Sequence, residues 1–262
     1  MRLTDMADEL YTDAARAALP AGVRVATARK AGVTVTRVEI AREGLERPRG
    51  RDVTREVPRV SVLDERDSSV IEQAATELRA LLPPEGPVLV LGVGNRRVTA
   101  DALGPRTVQK IFVTLGAGQG LPLRGLRPVA AVAPGVAAAT GMSLQQMATA
   151  LVRELRPAAL LCVDSLCSSE PERLGRTLQF SDTGLCPAQP GSRRHLDAGR
   201  VGVPVVAAGI PTLMEAREGK DLVVTPRELD SVIAHGAALL GAAINRALQP
   251  RLSIAQLCWL AG

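Results

Sequence analysis

Four short apolar runs recur along the chain after residue 86, and they constrain the fold more than any other feature. The runs are Val88–Gly94, Pro128–Val132, Ala158–Val163 and Val203–Ile210. Such runs are typical of strands that are buried on both faces of a parallel sheet. Helical patterns lie between and after them, near Asp101–Ile111 and Ser143–Leu155 and over Pro226–Leu248. Strands that alternate with helices predict a three-layer α/β sandwich, in which helices flank a mostly parallel twisted sheet.

The N-terminal quarter of the chain has a different pattern. Val33–Ile40 alternates β-branched with polar residues, as a half-exposed strand does. Val53–Leu63 is a weaker strand pattern broken by Pro58, so a small N-terminal strand pair is expected. A helix is expected over about Val70–Leu82. We therefore predict one domain over residues 1–262, with an N-terminal arm and strand pair over 6–66 and an α/β core over 67–262.

Composition excludes several classes of function. Aromatic residues make up only 2% of the 262 residues, which argues against binders of single-stranded nucleic acid that stack bases on aromatic rings. The net charge is +5, but the arginines are spread along the chain, so direct nucleic-acid binding is not expected. No apolar run approaches the ~20 residues of a membrane span, and MRLTDMADEL lacks the basic start and apolar core of a signal peptide. A cytoplasmic protein with no membrane partner is expected.

The sequence contains few residues that could form a metal site, a nucleotide-binding motif or a nucleophilic triad. The four cysteines form no CxxC pair, and the only histidines are His195 and His235. A zinc site or a His-based triad is therefore not expected, and no serine lies in a G-x-S-x-G elbow. Gly92-Val93-Gly94 is followed by Arg97 where a dinucleotide motif has its third glycine. No metal and no cofactor are predicted.

Two acidic residues stand where an α/β sheet places its chemistry, at the carboxyl ends of strands. Asp164 directly follows the apolar residues Leu160–Val163, and Asp101 begins the helical pattern after the first run. A carboxylate there is costly to bury unless it is paired, protonated or bound, although either acid could instead cap a helix. If the two face each other, they form a pair that shares one proton. One acid can then activate water while the other polarises a carbonyl.

A third acid lies in a short protease-like triplet. Asp182-Thr183-Gly184 repeats the Asp-Thr-Gly of pepsin-like and retroviral aspartic proteases. Three residues are a weak match, and those proteases are all-β proteins, unlike the fold expected here. Asp182 is therefore either a third acid near the site or a turn residue that uses Gly184.

Many short blocks of the sequence, in the same order, resemble the germination endopeptidases of bacterial spores. The blocks are Leu3–Glu9, Gly92–Asn95, Val98–Pro105, Arg127–Val129, Ala133–Val136, Thr140–Met142, Val163–Leu166, Ser181–Leu185, Gly202–Val205, Gly209–Thr212, Val224–Pro226 and Ala243–Leu248. They span most of the chain. Leu213–Leu222 replaces a longer polar insertion that many members carry, so this chain resembles a short, divergent member.

The resemblance implies an aspartic-type endopeptidase with a fold similar to the hydrogenase maturation proteases. The family's catalytic aspartates correspond to Asp101 and Asp164, which the strand-end position indicates independently. The residues expected to line the site are Gly94, Asn95, Thr99, Thr183 and Gly184. The implied substrates are small acid-soluble spore proteins, cut at sites that resemble Thr-Glu followed by an apolar residue and Ala. The implied compartment is the cytoplasm of the forespore or the spore core, and the implied assembly is a homo-oligomer, a tetramer.

The resemblance also implies self-processing. Members are made as zymogens that are cut near the N-terminus at a sequence like their substrate sites. Thr4-Asp5-Met6-Ala7-Asp8-Glu9 fits that pattern, so a break is expected between Asp5 and Met6, with residues 1–5 as a short prosegment. The alternative is that these residues only form the first turn of a helix, whose N-terminus favours acids.

Departures from the family pattern leave other functions open. After Asp164 the family tends to continue Ala-Leu-Ala-Ala-Arg, whereas Ser165–Ser169 reads Ser-Leu-Cys-Ser-Ser here. The loop after Asp182 is altered at Pro187–Pro190. One alternative is a maturation-type protease whose acids hold a divalent ion. The other is a catalytically inactive relative that binds spore proteins.

Overall fold

Nine strands and eight helices make up the part of the chain that the structure, a computed structural model, describes: residues 4–11, 19–30, 33–116, 125–185, 195–215 and 223–261. The strands are β1 (Val23–Lys30), β2 (Val33–Ile40), β3 (Gly50–Glu56), β4 (Val88–Gly92), β5 (Val129–Val132), β6 (Ala159–Cys167), β7 (Thr177–Ser181), β8 (Val205–Glu215) and β9 (Val223–Val224). The helices are α1 (Ala7–Tyr11), α2 (Ser68–Leu81), α3 (Leu103–Val108), α4 (Ala137–Thr140), α5 (Leu144–Leu155), α6 (Ala198–Val201), α7 (Leu229–Leu248) and α8 (Ile254–Ala261).

The strands form one mixed sheet in the order β1-β2-β3-β7-β8-β6-β4-β5, with β9 paired to β8. Strands β5, β4, β6 and β8 are mutually parallel. Strands β7, β3, β2 and β1 continue the sheet with antiparallel pairings. The α/β prediction is therefore confirmed, but the expectation of a mostly parallel sheet is wrong.

The correction arises at β7 and in the N-terminal strands. The connection between β6 and β7, residues 168–176, is shorter than the dozen or so residues that a parallel crossover needs, so β7 runs back against its neighbours. The expected N-terminal pair is three strands, because β1 pairs with β2 along its whole length. These strands are also continuous with the main sheet, since β3 pairs with β7. We call β1, β2 and β3 the wing.

Helices cover both faces of the sheet, which gives the three layers that the sequence predicts. On one side, the α7 face, α2, α3 and α7 pack over odd-numbered residues of β6 such as Leu161 and Val163. On the other side, the α5 face, even-numbered residues such as Leu160 and Cys162 pack with the region of α5 and α6. Over the wing, α1 packs on this second side against Val38. The alternation along β6 follows from the two-residue repeat of a strand.

The longest helix, α7, lies at the centre of the α7 face. By length and apolar composition it could cross a membrane, yet 72% of its most apolar window is buried inside the structure. Its residues Leu239, Leu240 and Ile244 have no exposed surface. An amide-bearing side chain, Asn245, uses both ends of its amide to hold the backbone of Phe112 and Lys110 beneath the helix. A helix that is apolar on most sides and packed in this way is a core helix.

Candidate active site

Asp164 lies inside β6, on the α5 face of the sheet. The strand continues to Cys167, so the acid is not at the strand's end as the apolar run suggests. The residue is 4% exposed, and one carboxylate oxygen accepts a hydrogen bond of 2.8 Å from the Ser165 backbone N–H. Two residues earlier on the same face, burial and the nearby Asp164 charge raise the pKa of the Cys162 thiol to about 12. That thiol is therefore neutral at ordinary pH.

Asp101 ends a 3-10 turn, Thr99–Asp101, immediately before α3. Its Oδ2 accepts a hydrogen bond of 2.8 Å from the Asn95 backbone N–H. Gly94, at φ +118°, passes so close that a Cβ there would lie 3.1 Å from Asp101 Oδ1 and would collide with its backbone carbonyl. A side chain at position 94 would therefore displace the acid, which accounts for the glycine.

Asp101 and the strand segment that carries Asp164 both lie beside the turn Val93–Asn95. After β4 ends, the Val93 N–H donates to the Val163 carbonyl at 2.8 Å, so residues 93 and 94 continue beside residues 163 and 164. Asp101 approaches the same turn through its bond to Asn95. The predicted pairing of Asp101 and Asp164 is thus compatible with the fold. Two carboxyl groups that share a proton can act on a peptide carbonyl held between them.

Two further contacts fix the position of Asp101 on the sheet. Gly104 of α3 presses on β4 and β6: a Cβ there would lie 2.6 Å from the Val93 nitrogen and would collide with the Val163 carbonyl oxygen. On the other side of the turn, the Thr212 hydroxyl of β8 donates to the Ala100 carbonyl at 2.9 Å. Of the residues expected to line the site, Gly94, Asn95 and Thr99 all belong to this turn and its continuation.

Asp182, Thr183 and Gly184 lie elsewhere. Because β7 is antiparallel to β8, Gln179 is level with Gly209 and hence with Asp164, and residues after it lead away from Asp164. Asp182 is three residues further on, about 10 Å along the strand, and two strand spacings across. Its carboxylate accepts hydrogen bonds from the Arg51 backbone N–H at 2.6 Å and from Arg51 Nε at 2.9 Å. The structure therefore does not bring this triplet to Asp101 and Asp164.

The N-terminal segment Thr4–Tyr11, which we call the arm, lies on the α5 face beyond Asp164. The Asp5 N–H donates to the Cys167 carbonyl at 2.8 Å, and Asp5 Oδ2 accepts from the Cys167 N–H at 2.7 Å. The Asp5 carbonyl accepts from Gln179 Nε2 at 3.3 Å. Met6 is completely buried. The expected processing bond thus lies within the folded structure, on the same face as Asp164.

Two buried acids of the arm are held by a polar network that the sequence did not indicate. Arg173 pairs with Asp8 at 2.5 Å, and the Thr54 hydroxyl donates to the same carboxylate at 2.9 Å. Glu9 accepts hydrogen bonds from the hydroxyls of two serines and from one backbone N–H: Ser168 Oγ at 2.5 Å, Ser169 Oγ at 2.7 Å and Ser169 N at 2.8 Å. In the sequence, the two serines stand out only because they differ from the family pattern, and Arg173 belongs to no motif.

Charge explains why this network can be buried. Burial alone would lower the pKa of the Arg173 guanidinium, but Asp8 and Glu170 beside it hold that pKa above its ordinary value. The arginine therefore stays charged and compensates the arm's acids. Elsewhere in the described ranges, no group of three or more His, Cys, Asp or Glu side chains is arranged to hold a metal ion.

Comparisons with known proteins identify the family. Residues 4–218 match the family model described as germination protease. The chain is 29% identical to the germination protease of Clostridium acetobutylicum, over 90% of this chain and 91% of that protein. It is 32% identical to that of Clostridium perfringens, over 84% and 86%. It is 33% identical to that of Bacillus velezensis, over 84% of this chain but 63% of that longer protein. The chain therefore belongs to the germination protease family.

Proposed function

We propose that this protein is an endopeptidase of the spore germination type, with Asp101 and Asp164 as an aspartic-type acid pair. The observation that carries the proposal is the approach of these two acids to the Val93–Asn95 turn in a chain of this family. The proposed substrates are small acid-soluble spore proteins, cut at sites that resemble Thr-Glu followed by an apolar residue and Ala. A fold like that of the hydrogenase maturation proteases is part of the same proposal.

The proposed chemistry is hydrolysis by a pair that carries one proton. The ionised acid takes a proton from water as the water oxygen bonds to the peptide carbonyl carbon, while the protonated acid donates to the carbonyl oxygen. When the C–N bond breaks, a proton passes from the pair to the leaving nitrogen. Since one acid must be charged and the other neutral, activity falls on both sides of an optimum pH.

The arm is the proposed site of self-processing, with the break between Asp5 and Met6. The match of Thr4–Glu9 to the substrate pattern supports it, as does the position of Asp5 on the face that carries Asp164. Removal of residues 1–5 would leave Asp8 and Glu9 in their network with Arg173. The proposal further includes a homo-oligomer in the forespore or spore core.

The intact mass of the purified protein, followed at mildly acidic pH, tests the proposal. The wild type is expected to lose Met1–Asp5 and to cleave a Thr-Glu-Phe-Ala-Ser-Glu peptide, whereas Asp164→Asn does neither while its thermal unfolding stays cooperative. Asp230→Asn, a change at an exposed acid in the first turn of α7, is the matched control and keeps both activities. Cleavage by Asp164→Asn at the wild-type rate would remove the acid pair from the mechanism. Tight peptide binding with no cleavage by the wild type would instead favour the inactive relative.

A further inference from the structure

Gln179 of β7 lies in the same cross-strand row as Asp164. Strand pairing sets Asp164 beside Gly209, and Gly209 beside Gln179. Paired residues of neighbouring strands point to the same face, so both side chains lie on the α5 face, two strand spacings or about 10 Å apart. Gly209 between them has no side chain, and Leu166 lies over the space that a Cβ would take. Along this row, Leu166 and Gly209 therefore separate the Asp164 carboxyl from the Gln179 amide.

The amide of Gln179 is directed at the peptide bond that the proposed processing would break. Its Nε2 donates to the Asp5 carbonyl oxygen at 3.3 Å. The N–H of Asp5 donates to the Cys167 carbonyl at 2.8 Å and its carboxylate accepts from the Cys167 N–H at 2.7 Å, so three hydrogen bonds in all fix the position of Asp5. Met6, on the other side of the bond, is completely buried.

The oxygen of the same amide, Oε1, makes no hydrogen bond within the described part of the chain. Gln179 is 4% exposed, and this oxygen is buried. Buried side-chain oxygens are nearly always hydrogen-bonded in folded proteins, so an exception calls for a reason other than stability. A residue kept for binding a peptide or its attacking water supplies that reason, because such a residue is only fully paired during the reaction.

We propose that Gln179 is the carbonyl-binding residue of this enzyme, an inference that rests on the proposed function. As the water oxygen bonds to the Asp5 carbonyl carbon, the π electrons of the C=O bond move onto its oxygen. The Gln179 N–H donates to that oxygen alongside the protonated acid of the pair, and this hydrogen bond stabilises its developing charge. The C–N bond then breaks, the Met6 nitrogen leaves with a proton from the acid pair, and Asp5 becomes a free carboxyl.

A neutral amide suits this task because it does not titrate. Its contribution is therefore present at every pH at which the acid pair works. Removal of a single donor to a developing oxyanion lowers the rate of acyl-transfer enzymes by about 100- to 1,000-fold. The expected loss for Gln179 lies at the lower end of that range, about 100-fold, because the hydrogen bond at 3.3 Å is long.

The first experiment removes the donor and keeps the shape. Gln179→Met fills the same volume without an N–H, and Thr177→Val is the matched control, two residues earlier on the same strand and face. The first-order rate at which Met1–Asp5 is lost is measured by intact mass, together with hydrogen-exchange protection of the Met6–Tyr11 amides. We expect about 100-fold slower processing in Gln179→Met with unchanged protection, and the wild-type rate in Thr177→Val.

The second experiment separates a donor from a packing residue. Gln179→Glu has a donor only when its carboxyl is protonated, so its rate divided by the wild-type rate should rise as the pH falls. The same ratio for Gln179→Met should not change with pH. The Gln179→Glu variant also tests the proposal if Gln179→Met fails to fold.

The outcomes divide cleanly. A wild type that cuts neither itself nor the peptide removes the proposed function, and this inference falls with it. A working wild type with near-normal processing in Gln179→Met overturns the inference alone. The inference also fails if hydrogen-exchange protection of the arm in Gln179→Met falls in proportion to the processing rate. Gln179 would then only hold the arm in place. A pH-independent ratio for Gln179→Glu excludes the donor role.

Discussion

Both carboxylate oxygens of Asp182 accept hydrogen bonds from Arg51, so the effect of neutralising Asp182 is predicted from this contact. We expect Asp182→Asn to cleave the test peptide within about threefold of the wild-type rate, since the residue is remote from Asp101 and Asp164. Stability should fall by no more than about 1 kcal/mol, because Arg51 is 48% exposed and such ion pairs are weak. Initial rates and the thermal midpoint check both. A 100-fold loss of rate in a folded variant would restore Asp182 as a third acid.

The buried thiol of Cys162 predicts a specific dependence of stability on pH. Burial and the Asp164 charge raise the pKa of this thiol from 9.0 to about 12 in the folded protein. Below pH 9 it is protonated in folded and unfolded chains alike. As the pH rises from 9 towards 12, only the unfolded chain loses the proton, so the free energy of unfolding falls, by at most about 1.4 kcal/mol per pH unit.

Urea unfolding of the wild type and of Cys162→Ala between pH 8 and 10.5 measures this effect. The variant starts from a lower stability because it loses buried contacts. Its free energy of unfolding should nevertheless decline less steeply with pH than that of the wild type. Equal slopes in the two proteins would show that the thiol ionises as readily in the folded state as in the unfolded one.

The candidate site shows which residues a sequence can indicate. Asp101 and Asp164 were chosen from the sequence because buried strands have an apolar pattern, and the fold class directs attention to the ends of those strands. Asp182 could not be placed, because its position depends on the direction of β7, which no residue pattern reports. Gln179 and Arg173 carry no motif, and only strand pairing and the docked arm reveal what they contact.

Among the elements, the arm carries two buried acids that both contact Arg173. Arg173 is 18% exposed and contacts Asp8 and Glu9, whose carboxylates are 2% and 1% exposed. Arg173→Met keeps the volume but removes the guanidinium that contacts both acids. Loss of one partner from a buried ion pair costs about 3–5 kcal/mol, so a comparable drop in the free energy of unfolding is expected. Urea unfolding at neutral pH measures it.

Arg37→Met is the matched control for that change. Arg37 pairs with Glu77 at 2.6 Å across the other face of the wing, but its side chain is 45% exposed. Its replacement should cost less than about 1 kcal/mol, as exposed ion pairs do. Similar losses in the two variants would contradict a buried, charge-dependent anchor for the arm.

Prediction of elements succeeded where one physical signal dominated. α2, α5 and α7 begin and end within about three residues of their predicted limits, since amphipathic or apolar periodicity and flanking prolines define them. β1 and β7 were missed. Both contain charged or polar residues, and their strand conformation depends on pairing with other strands. β1 pairs with β2, and β7 pairs with β3 and β8. Pairing of that kind is a tertiary effect that local sequence does not carry.

At the scale of the whole molecule, the arm crosses the line where the parallel and antiparallel parts of the sheet meet. That line runs between β8 and β7. Asp5 bonds to Cys167 at the end of β6 on one side and to Gln179 of β7 on the other. Asp8 continues to Thr54 in the wing. The arm therefore connects the parallel part of the sheet, which carries Asp164, to the wing, which the sequence suggested would be a small appendage.

This continuity predicts that residues 1–262 unfold as one unit, although the sequence pattern divides them at about residue 66. The wing shares a hydrogen-bonded edge with β7, and β7 in turn pairs with β8. Two parts joined by an unbroken sheet cannot separate without breaking the pairing between β3 and β7. Hydrogen exchange in increasing urea should therefore give the same unfolding free energy for amides of β2 and β3 as for those of β4 and β6. A wing that opens at lower urea while β4 and β6 stay protected would make it a separate domain.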